Sequence, residues 1–231
     1  MVDKGTSLQD IFEGVGGAFL ILSALLTPFL RHWRCRWGAT DEEVQRTLPG
    51  DDLVPNPKWR WTHAITIGAP PERVWPWIVQ MGQGRGGFYS YEALEDLVGC
   101  RIHNADRIVP EWQDLKVGDA VKLHPRVPGL PVAILDPDRS LVLNGRMDMR
   151  TGKGFDLSAA YPERYMNMVW MWYLEPSGPE ATRLLSRFGT DYNPSFASRL
   201  FYGMLFVEPI GFTMSRKMLL GIKRRAEAVA G

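Results

Sequence analysis

The sequence predicts an α+β fold in which one antiparallel sheet is covered by helices. Three observations carry this. Trp59 to Ile67 alternates, with Trp59, Trp61, His63, Ile65 and Ile67 on one face and Arg60, Thr62, Ala64 and Thr66 on the other. That is the period of a half-buried strand. A series of strand-length runs follows between turn signals, and the chain closes on its longest helical segment, Phe196 to Ala228.

The chain starts differently. Gly14 to Leu30 is 17 residues without a charge, at the lower edge of what spans a bilayer core. Asp3, Asp10 and Glu13 precede it; Arg31, Arg34 and Arg36 follow, interleaved with Trp33 and Trp37. Basic residues beside tryptophans suit the cytoplasmic edge of a membrane segment. A secretory signal fits poorly, because the leading flank is acidic. A membrane span or inserted anchor, a helix lying in the interface or docked on the domain, and a disordered or cleaved leader all remain open.

Thr40 with Glu43 three positions on forms a capping box, so a short helix is expected there. Leu48 to Lys58 is rich in Pro, Gly and Asp and reads as a linker. The division expected is therefore 1–58 as hydrophobic helix, basic/Trp cluster and linker, and 59–231 as the folded domain.

After the first strand, Pro71 suits the first turn of a helix, which Pro76 should shorten or kink. Gly82 to Gly87 is a flexible loop, and Tyr91 to Val98 a second short helix. The further strand candidates are Ala120–His124, Pro131–Leu135, Ser140–Asn144, Tyr165–Glu175 and Thr182–Phe188. Tyr165–Glu175 is apolar on both faces, with Met166, Met168, Trp170 and Trp172 on one and Val169, Met171 and Tyr173 on the other. Such a strand is covered on both sides. In the closing segment, a bend is expected near Pro209 and Gly211. Its first half, Leu200 to Met214, carries a single charge, so it is buried nearly all round or touches lipid.

Composition excludes some classes. A formal net charge of +1 argues against a nucleic-acid surface. Cys35 and Cys100 lack any CxxC spacing, which leaves zinc and redox frameworks unsupported and reads as two reduced thiols in the cytoplasm. No His or carboxylate set has metal spacing, and no cofactor is expected. The glycine-rich loop follows a helix rather than a strand, against a nucleotide reading. Nine Trp and ten Met suit irregular apolar cavities and membrane interfaces alike.

The order of elements, headed by Ala64-Ile-Thr-Ile-Gly-Ala-Pro-Pro-Glu-Arg-Val-Trp75, resembles the START/SRPBCC superfamily, including its polyketide cyclase/dehydrase and lipid-transport group. The strand Thr182-Arg-Leu-Leu-Ser-Arg-Phe188 and the long closing helix fit the same pattern. The resemblance covers about residues 59–228 and implies a helix-grip (START/Bet v1-like) fold. There an antiparallel sheet wraps around the C-terminal helix, here with an N-terminal hydrophobic helical extension. It also implies a cavity between sheet and helix for apolar ligands, from sterols and phospholipids to aromatic polyketides. The insert Gly82–His103 departs from minimal members.

Candidate site residues follow from parity and chemistry. His63, on an apolar strand face, and the neighbours His103 and Asp106 are candidates for acid/base work, each with a structural alternative: a satisfied core histidine, or an Asn/Asp turn with a paired arginine. Trp61, Trp170 and Trp172 are candidate cavity wall, or, on the opposite parity, Val169 and Met171. Tyr89 and Tyr91 would grip a ligand beneath a lid formed by the Gly82–Gly87 loop. Arg187 either pairs with an acidic ligand group or faces water. The function expected is binding, and with it transfer, of an apolar lipid-like or polyketide-like molecule. A cyclase or dehydratase using a cavity histidine is the alternative. A filled core would instead favour a membrane-tethered interaction protein. The expected location is the cytoplasm, tethered to or peripheral on the inner face of the cell membrane through Arg31, Arg34, Arg36 and residues 14–30.

Overall fold

A computed structural model describes residues 7–155, 160–193, 195 and 207–228. Six strands form one sheet: β1 (Trp59–Ile67), β2 (Ala120–Val121), β3 (Leu130–Asp136), β4 (Ser140–Asp148), β5 (Tyr165–Pro176) and β6 (Thr182–Tyr192). Their order is β1-β6-β5-β4-β3-β2, every pair antiparallel. The helices are α1 (Leu8–Leu26), α2 (Arg31–Arg34), α3 (Asp41–Gln45), α4 (Pro71–Val79), α5 (Glu92–Leu97) and α6 (Val207–Ala228). The expected α+β architecture, a sheet with a C-terminal helix as in a helix-grip fold, is present. Of the predicted closing segment, residues 196–206 lie outside the described residues, and with them nearly half of its apolar first half.

The alternation read from β1 and β5 sorts the two faces of the sheet. On one, Trp172, Leu184 and Ile67 join Val74 and Ile78 of α4 and Met218, Leu219 and Ile222 of α6 in the main core. On the other, Ala64, Val142, Val169, Met171, Tyr173 and Leu185 form a second cluster. Its cover is the segment expected to be a linker: Leu48 and Val54 are buried in that cluster. The Pro/Gly/Asp content marks turns here, and the apolar residues between them dock.

Arg187 belongs to this covered face. Register pairs it with Thr62 across β1 and β6. Its guanidinium donates to Thr62 Oγ1 (3.0 Å), to the carbonyls of Glu43, Val44 and Arg46 (2.6, 3.2 and 3.0 Å) and to the Asp51 carboxylate. It is fully buried, so it does not face water, and it lies outside the described lining of the sheet–helix cavity. It pins the N-terminal segment to the sheet, and each of its donors is matched, as a buried guanidinium requires.

The outer edge of β1 is also covered. Thr62 and Ala64 donate their amides to the carbonyls of Cys35 and Trp37 (2.8 and 3.0 Å), so the free edge is shielded from a second chain. Gly38 then turns the chain away at φ +71°, where an added Cβ would stand 2.1 Å from the Ala64 carbonyl oxygen. Only glycine fits that turn.

Capping boxes open two helices: Ser7 with Asp10 at α1, and Thr40 with Glu43 at α3, the latter as expected. α1 packs on α5, through small residues, and on α6. A Cβ on Gly14 would lie 2.8 Å from Ala93 Cβ, and one on Gly17 2.9 Å from Leu94 Cδ1. Glu13 and Lys217 close an ion pair at 2.7 Å.

Candidate functional site

Sheet and α6 enclose a cavity of about 560 Å³. The sheet supplies Trp59 and Trp61 of β1, Phe188 of β6, and Met168 and Trp170 of β5. These share one face because register sets Trp61 and Trp170 on either side of Phe188. From α6 come Ile210, Met214, Ser215 and Met218, spaced as one helix face. α5 adds Leu94, Glu95 and Leu97, and α1 adds Ile21. The volume suits a small organic ligand, and the wall is aromatic, aliphatic and thioether.

Of the candidate wall residues, Trp61 and Trp170 line this space. Trp172 has the same parity but lies further along β5, fully buried in the main core with its ring 4.5 Å from Trp170. Tyr89 is buried; its hydroxyl donates to the Trp77 carbonyl (2.9 Å) and accepts from Gln80 (3.0 Å), while Arg225 sits 4.6 Å over its ring. Tyr91 packs its ring against Gly17 of α1, with the Lys217 ammonium 5.3 Å from its centroid. Neither tyrosine is among the described lining residues of this cavity, and both pack between helices.

The glycine-rich loop is tethered rather than free. Gly82 and Gly87 form a bridge, Gln83 donates its amide to the Lys122 carbonyl (2.8 Å), and Arg85 donates to the Val79 and Trp112 carbonyls (3.1 and 2.5 Å).

His63 shares its face with Trp61, as parity requires, and stacks on it with centroids 4.2 Å apart. It is fully buried, and both ring nitrogens are engaged: Nε2 with the Arg34 carbonyl at 2.8 Å and Nδ1 with the Ser215 hydroxyl at 2.9 Å. A carbonyl only accepts, so Nε2 carries the proton and Ser215 donates to Nδ1. Burial depresses the pKa to about 3, against the weaker opposing pull of the Arg34 carbonyl. His63 is a neutral structural hinge between β1, α2 and α6.

His103 and Asp106 do not form the expected dyad in their described bonds. His103 Nδ1 lies 3.2 Å from the Glu92 carboxylate, and Asp106 accepts from Arg225 at 3.3 Å. Asp106 borders a second, polar cleft of about 380 Å³ that also takes in Tyr89 and Arg225 and shares Ser90 with the apolar cavity.

Arg34, expected at a membrane surface, points inward to Glu208 of α6. Arg36 pairs with Asp41. Among the described residues, no group of three or more His, Cys, Asp or Glu could hold a metal ion.

Sequence reasoning missed Glu95. It lines the cavity at only 5% exposure, and its Oε2 has no hydrogen-bond partner among the described residues. Burial, reinforced by the charges of Glu92 and Asp96, raises its pKa to about 8. The signal was helical spacing: Tyr91, Leu94, Glu95 and Val98 share one face of α5.

The cavity opens among exposed apolar side chains. Leu97, Val98 and Ile210 of its wall are exposed, and α1 turns Phe12, Val15, Phe19 and Leu22 outward, continued by Phe29 and Trp33. By length and composition α1 could cross a bilayer.

No protein-family model matches the chain, and no curated protein does. Solved structures with partial likeness include a Helicobacter pylori protein at 13% identity and TM-score 0.43, covering 77% of this chain and 94% of that one. A Mesorhizobium loti protein shares 15% identity at TM-score 0.38 over 74% and 99%. A norcoclaurine synthase point mutant from Thalictrum flavum, in complex with a transition-state analogue, shares 13% at TM-score 0.39 over 75% and 96%. Likeness at this level carries no weight for function; the cavity must.

Proposed function

We propose that this START-like chain binds, and hands on, an apolar lipid-like or polyketide-like molecule in the cavity between sheet and α6, at the cytoplasmic face of a membrane. The observation that carries the reading is the wall itself. Trp61, Phe188, Trp170, Met168 and Met214 surround space large enough for a ligand, and an apolar cavity of that size is unattractive to water. Burying ligand area against them at roughly 25 cal/mol per Å² supplies most of the affinity.

The membrane setting is supported by the cavity's surroundings. Exposed apolar side chains on α1 and at Leu97, Val98 and Ile210 form a patch next to the opening, larger than scattered surface hydrophobes. Arg31, His32 and Trp33 stand at the end of that patch, where lipid headgroups would meet them. A bilayer against this face would let an apolar molecule pass between lipid and cavity without crossing water.

The rival reading, acid/base catalysis by a cavity histidine, loses support because both nitrogens of His63 are engaged and burial keeps the ring neutral.

Native mass spectrometry of protein released gently from membranes tests the proposal. A copurifying apolar molecule in 1:1 complex is expected. Empty protein throughout, with no thermal stabilisation by any lipid extract, would overturn it.

A further inference from the structure

We propose that Glu95 is the cavity's polar anchor, a neutral carboxylic acid that donates a hydrogen bond to a single uncharged oxygen of an otherwise apolar ligand, such as a ketone. The inference deepens the binding function above and rests on it.

Three features point this way. First, Glu95 stands in the cavity wall between Leu94 and Leu97, nearly fully buried, with one carboxyl oxygen unpartnered among the described residues. A buried polar atom left without a partner is costly, and a ligand group would relieve that cost. Second, two other polar wall residues commit their hydroxyls inside the protein, Ser90 toward the Met214 carbonyl at 3.3 Å and Ser215 toward His63, which leaves the Glu95 carboxyl and the Trp59 indole N–H as the buried unpartnered polar groups of the described wall. Third, no Lys, Arg or His is among the described lining residues. An anionic head would find no cation among the described wall residues and would face the negative charges of Glu92 and Asp96 near Glu95.

The same surroundings keep the proton on Glu95. Burial acts first and the two neighbouring carboxylates second, and Cys100 is the other titratable group in the described wall. A carboxyl neutral at pH 7 can donate, which a carboxylate cannot.

Displacement of the neutral fluorophore N-phenyl-1-naphthylamine tests this, with 2-dodecanone and dodecanoate as chain-matched competitors. The wild type and Glu95→Gln should bind 2-dodecanone alike at pH 6.5, because the amide still donates. Glu95→Leu should bind it about tenfold more weakly, the worth of one hydrogen bond. Dodecanoate should compete poorly at pH 7. Ketone affinity of the wild type should decline as pH passes 8, while that of Glu95→Gln stays level. Equal ketone affinity in Glu95→Leu and wild type, or dodecanoate outcompeting the ketone, would overturn the anchor. Fluorophore that never binds the wild type would overturn the cavity reading itself, and that failure is read before any competitor is added.

Discussion

Arg34 and Glu208 form a buried bidentate ion pair, Nε to Oε1 at 2.6 Å and Nη2 to Oε2 at 3.0 Å, that ties the N-terminal segment to the start of the described α6. Arg34 also donates to the Thr27 carbonyl at 2.9 Å, and its own carbonyl receives His63. One residue thus joins α1, β1 and α6 beside the cavity.

Breaking that pair leaves a charge buried and uncompensated. Glu208→Gln should lower unfolding free energy by about 3 kcal/mol. Replacing both partners with Met and Leu should restore most of it, because desolvation of two ions is then avoided. Urea titration measures both, and an unchanged midpoint in Glu208→Gln would contradict the assignment.

His63 and Glu95 impose opposite pH dependences. Unfolded, His63 takes up a proton below pH about 6.5; folded, it does so only near pH 3, so stability falls as pH drops across that window. Unfolded, Glu95 loses its proton above pH 4.5; folded, it keeps it to about 8, so stability falls as pH rises across that window. Each slope reaches at most about 1.4 kcal/mol per pH unit, and the two offset one another between pH 4.5 and 6.5. Glu95→Gln should therefore flatten the decline between pH 6.5 and 8. Urea midpoints that run parallel to the wild type there would refute the buried acid.

Membrane contact through α1 has its own test. Replacing Phe12, Phe19 and Phe29 by Ser removes three exposed aromatic side chains. Flotation with phosphatidylcholine/phosphatidylglycerol vesicles should fall at least about tenfold, given roughly 1.5 kcal/mol or more per buried aromatic side chain. Undiminished flotation would rule out this face as the contact.

The sequence made strand parity legible because alternation is local: spacing alone put Trp61 with His63, and Met168 with Trp170, on shared faces, but left open which parity lines the cavity. Arg187 was not, since its partners Asp51 and the Glu43, Val44 and Arg46 carbonyls lie more than a hundred residues away and in a stretch that reads as linker. Arg34 failed for the same reason: a basic cluster reads as surface until Glu208 is placed beside it. Glu95 was hidden by its neighbours. With Glu92 and Asp96 it reads as a solvated acidic face, and only its helical phase with Leu94 and Val98 betrays the burial.

The central claim is that the space between sheet and α6 admits a guest. Titrating N-phenyl-1-naphthylamine into wild type and Met168→Trp, a substitution that fills the cavity from β5, tests this most directly. One saturable site in the wild type, lost in a Met168→Trp variant of unchanged far-UV circular dichroism, is the result expected. No saturable site, or equal binding by a folded Met168→Trp, would contradict it.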